Sequence, residues 1–319
     1  MLALLLDGEP RLVADHPPPR REPGEALIGM RLAGVCDTDL QLARGYMGYR
    51  GVLGHEFVGT VLEADSARWR GRRVVADINA GCGECDDCRD RDGHHCARRS
   101  VLGILARDGA LAEQLAMPER CLVEVPDSVP DEQAVFAEPL AAALHVLDEL
   151  EDGRGPVVVL GDGKLGTLIA LGLLGAGVEV AVVGHHQDKL ELSARAGART
   201  FLESGLGDQL GGAPMVVEAT GSASGLERAL SLVRPRGTVA VKTTVAGPVE
   251  VDLSPIVINE LRLVGSRCGD MQRAIDLLAE GRVDPTPLIQ ARYPLLQADR
   301  ALSHAGERGT LKVLVEGAG

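Results

Sequence analysis

Apolar residues are spaced differently in the two parts of this chain. Up to about Phe136 they fall in short runs at 26–32, 56–62, 73–77 and 122–125, broken by Pro and Gly. Such punctuation predicts short strands and turns in a β-rich domain. The opening Met-Leu-Ala-Leu-Leu-Leu-Asp reads as a first strand. It is too short for a signal peptide and lacks a basic start. Near Ala134 the texture changes. Residues 138–150 carry apolar side chains at helical spacing. From Gly155 to about Ser266, Val-rich runs (157–160, 178–183, 215–218, 238–242, 261–265) alternate with helical segments (165–174, 189–196, 224–232). This alternation predicts a doubly wound parallel sheet covered on both faces, an α/β domain. After Cys268 a helix (271–281), a second helix (297–304) and a last strand (311–315) are expected. That strand is assigned to the first domain, because the parallel sheet is complete without it. The expected domains are 1–137 with 268–319, and 138–267.

Composition narrows the function. A net charge of -13 over 319 residues argues against nucleic acid or an anionic membrane as partner. No apolar run reaches the ~20 residues that span a bilayer. With three Phe, three Tyr and one Trp, the core must be aliphatic. Clustered cysteines without a secretion signal favour metal over disulfides and a cytoplasmic location.

The run Val157-Val158-Val159-Leu160 leads directly into Gly161-Asp162-Gly163-Lys164-Leu165-Gly166, which opens a helix. Strand before and helix after turn a weak glycine pattern into a dinucleotide site. The first glycine makes the turn, the second admits the pyrophosphate, and the third lets helix and strand pack closely. Asp162 must point away from that pyrophosphate, and Lys164 offsets its charge. An acid that grips the adenosine ribose is expected about 20 residues on. Gly184, His185 and His186 stand there instead, with Lys189 in the next helix. A small residue beside two potential cations leaves room for a 2′-phosphate, so NADP is favoured over NAD. Thr220, Gly221, Lys242 and Thr243 follow two later strands, at the edge where open parallel sheets bind ligands. Arg267 and Lys312 are weaker phosphate candidates, with surface charge the plainer role for each.

Cys82, Cys85, Cys88 and Cys96 have the spacing of a closed tetrahedral zinc site in a lobe at 81–97. His94 and His95 lie inside the lobe, but four thiolates already suffice. Cys36 stands apart, followed downstream by Gly54-His55-Glu56. Dispersed donors of this kind can keep a position open for chemistry.

The order Cys36-x-Thr38-Asp39, Gly54-His55-Glu56-x-x-Gly59, four-cysteine lobe, Glu138-Pro139 and glycine loop resembles the zinc-dependent medium-chain alcohol dehydrogenases almost end to end. Glutamate at 138 resembles the polyol, threonine and sugar dehydrogenase branch. The resemblance implies a GroES-like catalytic domain beside a Rossmann domain. It implies that Cys36, His55 and Glu138 ligate a catalytic zinc, with Glu56 beside it as a neighbouring or exchanging ligand. Asp39 would orient His55, and Thr38 would hold the substrate hydroxyl and pass on its proton. It further implies a structural zinc on the lobe, NADP or NAD, a small alcohol or carbonyl substrate, and a homodimer or homotetramer. His145, where relatives often carry a His, is equally explained by helix packing.

Three departures stand out. Gln41 occupies a position where a proton-relaying His is frequent. Gly71-Arg72-Arg73-Val74 and Asp65 differ only at turns. The expected reaction is hydride transfer between a secondary, polyol or sugar-like alcohol and its ketone or aldehyde. A metal-independent NADPH reductase and a non-catalytic nucleotide-binding module are the alternatives. Loops around Tyr46, Met47 and Tyr49 are expected to shape the substrate pocket.

Overall fold

The computed structural model describes residues 1–90, 92–150, 156–206, 210–244 and 249–317; the expected start of the strand–helix alternation, Gly155, lies outside them. The chain forms two compact units. One comprises Met1–Glu138, Met271–Ala279 and Pro285–Gly319; the other comprises Pro139–Asp270 and Glu280–Asp284.

The first unit is built on a strand that serves two partners. Glu25–Val35 pairs antiparallel with Gln114–Pro118 along its first half and with Lys312–Glu316 along its second. Its other edge pairs antiparallel with Glu56–Glu63. Arg73–Ala76, Leu122–Glu124 and Ile289–Pro294 complete a seven-stranded sheet. The strand Lys312–Glu316 pairs within this sheet, where Val313 faces Val35. Leu4, Ile28, Leu53, Leu111, Leu115 and Met117 fill the core, and none exceeds 1% exposure. Aliphatic side chains thus do the work that scarce aromatics cannot.

In the second unit six parallel strands lie in the order Arg199–Leu202, Val180–Gly184, Val157–Leu160, Ala213–Glu218, Val233–Val241 and Arg262–Gly265. This is the doubly wound dinucleotide-binding order, with its reversal between Val157–Leu160 and Ala213–Glu218. The edge strand Arg199–Leu202 was not expected from the sequence. It is short, begins with Arg and has no buried residue, so it lacks an apolar run to betray it. The expected helix 138–150 is α-helical over Ala137–Leu144 and tightens to a 3-10 helix over His145–Glu149. No helix among the described residues is long and apolar enough to cross a membrane.

Candidate metal centre and nucleotide site

Strand register assembles the dispersed donors. Gly34 faces Glu56 across one antiparallel ladder, and Val35 faces Val313 across the other. One step further along, Cys36, His55 and Lys312 reach the same end of the sheet. Cys36 opens the helix Asp37–Ala43, whose residue Asp39 is fully buried. The Asp39 carboxylate accepts from the amide of Cys36 (2.9 Å) and from the amide of Gly54 (3.1 Å). It thereby holds the backbone at Cys36 and the backbone just before His55. His55 Nδ1 lies 3.3 Å from Asp39 Oδ1 without hydrogen-bond alignment, so this pair is a charge contact. Burial alone would raise the Asp39 carboxyl; the charge of His55 and the two amides keep it below the ordinary value. Burial pulls the His55 imidazole down, but Asp39 and Cys36 outweigh it and raise it well above an ordinary histidine.

Donor atoms of Cys36, His55 and Glu56 lie within 4.8 Å of one another. Glu138, the expected third ligand beside Cys36 and His55, is not in that cluster. Of the two carboxylates, Glu56 is the one with a buried ammonium as partner. Lys312 Nζ donates to Glu56 Oε2 and sits 5.6 Å from the Phe136 ring centroid. Glu56 Oε1 is buried without a partner. Gly34 is required here, because a Cβ on it would collide with Glu56 Oε2. Desolvation, with Glu56 adding to it, pushes the Glu138 carboxyl up to about 7. Lys312 is 4% exposed, which corrects the surface or phosphate role expected of it. A lone Lys between apolar neighbours in a strand was the available signal for a buried ion pair. Thr38 Oγ1 lies 3.8 Å from Cys36 Sγ. Tyr46 and Met47 are exposed, whereas the Tyr49 hydroxyl donates to the carbonyl of Val52 (2.8 Å) and lies 3.0 Å from that of Arg107.

The sulfurs of Cys82, Cys85, Cys88 and Cys96 form a second cluster. Neighbouring sulfurs are 3.6 Å (Cys85–Cys88), 3.7 Å (Cys85–Cys96) and 3.9 Å (Cys82–Cys88) apart. A tetrahedron with Zn–S bonds of about 2.3 Å has edges of roughly 3.8 Å, so the lobe fits zinc without rearrangement. Amides of Glu84 and Cys85 bring the Cys82 thiol to about 6, within reach of the thiolate that a metal needs. His94 Nε2 is engaged by Asp77 (2.6 Å) and its Nδ1 lies 3.1 Å from Asp92, so neither nitrogen is turned to the sulfurs.

The glycine loop of the second unit carries its three glycines for three reasons. Gly161 has φ +119, a conformation closed to most side chains. A Cβ on Gly166 would strike the Gly161 carbonyl. Gly163 has nothing within 4 Å of such a Cβ, and no side chain caps the helix Lys164–Gly175 that it opens. Backbone donors at that helix start suit a pyrophosphate. Lys164 and Leu165 lie in its first turn.

Asp162 does point away, towards the end of the strand Val180–Gly184. Its Oδ2 accepts from the amides of His185 (2.7 Å) and His186 (2.6 Å), and His186 Nδ1 lies 3.0 Å from it. A Cβ on Gly184 would meet Asp162 Oδ2 at 2.5 Å. The space beside Gly184 is therefore taken up by the Asp162 carboxylate. Lys189 is half-buried in the helix Gln187–Arg195. Thr220, Gly221 and Thr243 gather at neighbouring strand ends around Glu218, which sequence reasoning missed. Glu218 Oε1 accepts from the Thr220 amide (2.8 Å) and from the hydroxyls of Thr220 (2.6 Å) and Thr243 (2.9 Å), and the Gly221 amide donates to Thr243 Oγ1 (3.0 Å). Lys242 Nζ donates to the carbonyls of Ala142 (2.6 Å) and Arg267 (3.3 Å) and lies 3.1 Å from Ser266 Oγ, which also meets His145 Nδ1 at 2.8 Å.

Residues 22–127 match the alcohol dehydrogenase GroES-like domain and residues 164–280 the zinc-binding dehydrogenase domain. An erythritol/L-threitol dehydrogenase from Mycolicibacterium smegmatis is 30% identical over 318 residues, covering 89% of this chain and 88% of the relative. The chain belongs to the zinc-type medium-chain alcohol dehydrogenases. It is an oxidoreductase of the alcohol dehydrogenase type with a NAD(P)-binding fold. Among solved structures, the rspB alcohol dehydrogenase from Escherichia coli CFT073, complexed with NADH, superposes with a TM-score of 0.90 at 26% identity and 99% coverage of both chains. A putative zinc-binding dehydrogenase from Sinorhizobium meliloti 1021 bound to NADP gives 0.87 at 29% identity, covering 99% of this chain and 98% of the other.

Proposed function

We propose that this protein is a zinc-dependent, NAD(P)-linked dehydrogenase of polyol-type secondary alcohols. The observation that carries the reading is the convergence of Cys36, His55 and Glu56 in a buried centre. Sulfur, imidazole nitrogen and carboxylate oxygen are the donors zinc takes, and the partnerless Glu56 Oε1 is available to it. The name of the Mycolicibacterium relative supports a polyol substrate.

A zinc ion held there would supply Lewis acidity that brings an alcohol's ionisation towards neutral pH, and a bound nicotinamide would supply the hydride acceptor. Cys36 and His55 would hold the ion, and Asp39 fixes the backbone that presents both. Glu56 and Glu138 offer alternative carboxylates, of which Lys312 neutralises the first. Thr38 orients the substrate hydroxyl and takes over its proton. Gln41 cannot titrate, so the proton leaves through Thr38 and solvent. In the second unit, Leu253, Val257 and Ile258 are exposed beside the edge strand Arg262–Gly265. An apolar surface next to an unpaired sheet edge supports self-association as a homodimer or homotetramer.

The test is metal analysis followed by turnover on erythritol, threitol, sorbitol, threonine and simple secondary alcohols with each cofactor. Two zinc ions per chain and cofactor reduction with at least one polyol are expected. A fully zinc-loaded protein inert towards the whole panel would refute the proposal.

A further inference from the structure

We propose that Asp162, in the glycine loop, supplies the ribose-binding acid that the strand Val180–Gly184 lacks, and that it selects NAD over NADP. The inference rests on the dehydrogenase reading only for its ligand class, a nicotinamide dinucleotide.

In a doubly wound fold the acid that reads the adenosine ribose stands at the end of the second strand. Here that strand ends in Gly184. The adjacent strand is parallel to it, with Leu160 level with Val183, so the loop after Leu160 opens beside the same strand end. Asp162 crosses that gap. Its Cβ and Oδ2 both lie 2.5 Å from where a Cβ on Gly184 would be. Acids at 162 and 184 therefore compete for one space. The carboxylate has kept its place in the fold and changed the strand that delivers it.

Two consequences bear on cofactor choice. The amides of His185 and His186 precede the helix Gln187–Arg195 and would otherwise face an incoming anion. Asp162 Oδ2 already accepts from both, at 2.7 and 2.6 Å. A 2′-phosphate would find these donors taken and a fixed negative charge in its path. Burial alone would raise the Asp162 carboxyl, but the amides and the His186 ring hold it below the usual carboxylate value, so it stays charged. A ribose 2′-hydroxyl, in contrast, can donate to Asp162 Oδ1. That oxygen's protein contact is His186 Nδ1 at 3.3 Å, and an ionised carboxylate oxygen has capacity to spare.

The test is calorimetric titration of the full-length protein with NADH and NADPH, which needs no turnover. The wild type is expected to bind NADH at least tenfold more tightly than NADPH. In Asp162→Ser the ratio of the two affinities should fall at least tenfold, through weaker NADH binding and stronger NADPH binding. Asp162→Ser combined with Gly184→Asp should restore it. Asp162→Asn keeps the shape without the charge and should shift the ratio in the same direction, which covers the case of a serine variant that misfolds. A wild type preferring NADPH would overturn the inference, as would variants that weaken both nucleotides equally and so reveal only a loop brace. A wild type that binds neither would overturn the dinucleotide reading along with it.

Discussion

The four-cysteine lobe draws its donors from one loop, between Cys82 and Cys96, whereas Cys36, His55 and Glu56 are brought together by the ladders of a sheet. The lobe is uniform in chemistry, and three of its four cysteines are partly exposed. The other centre mixes three donor types, and both His55 and Glu56 are buried. A local cluster needs only spacing and a few backbone amides. A dispersed cluster needs correct register, a buried aspartate to fix two backbones, and a buried lysine to balance charge. Uniform thiolates suit a closed ion that ties a loop together; mixed donors suit an ion that must still exchange a partner.

The sharpest way to break this contrast is to remove one sulfur from each centre. Cys36→Ala should lower kcat/KM by about 10^4-fold, roughly 5 kcal/mol of transition-state stabilisation, while the lobe retains its zinc. Cys85→Ser should also lose one zinc, and with it Tm, but keep kcat/KM within about threefold in the folded protein. Paired metal counts and kinetics decide it: equal kinetic losses in both variants would end the division of labour.

Lys312→Met probes the charge balance. Removing the ammonium strands a buried Glu56 carboxylate, at a cost of about 3–5 kcal/mol in denaturant unfolding of the chelator-stripped protein. Reloading zinc should recover part of that loss, because the ion replaces the missing cation. A metal-free loss below about 1 kcal/mol would mean that the ion pair does not balance the centre.

Asp39→Asn gives the smallest effect. It discards the charge facing His55 and sets an NH2 against the amide of Cys36 or Gly54, and should weaken zinc at the dispersed centre by about 10–100-fold. The lobe should hold its zinc unchanged in the same chelator competition. Equal weakening at both centres would point to a general loss of folding.

The order of Cys36, His55, the lobe and the glycine loop was legible in the sequence because each depends on residue type and short spacing. The parallel sheet was legible through its Val-rich runs, except for Arg199–Leu202, which lies at the edge and buries nothing. Which carboxylate joins Cys36 and His55 was not legible. Nor was the buried partner of Glu56, Lys312, which lies far from it in sequence and reaches it through sheet register. The vacancy inferred at Gly184 failed for a related reason. A glycine reads as empty space until a neighbouring strand is known to fill it, and Asp162 does so from the loop after Leu160.

Cys36 and His55 stand immediately beyond the ends of the paired strands Glu25–Val35 and Glu56–Glu63, so their approach depends on the pairing of the sheet. A register slip of one residue would carry one donor about 3.4 Å past the other. An ion arriving during folding can then stabilise only the correctly aligned pair. Binding of the proposed zinc would thereby reward correct strand alignment.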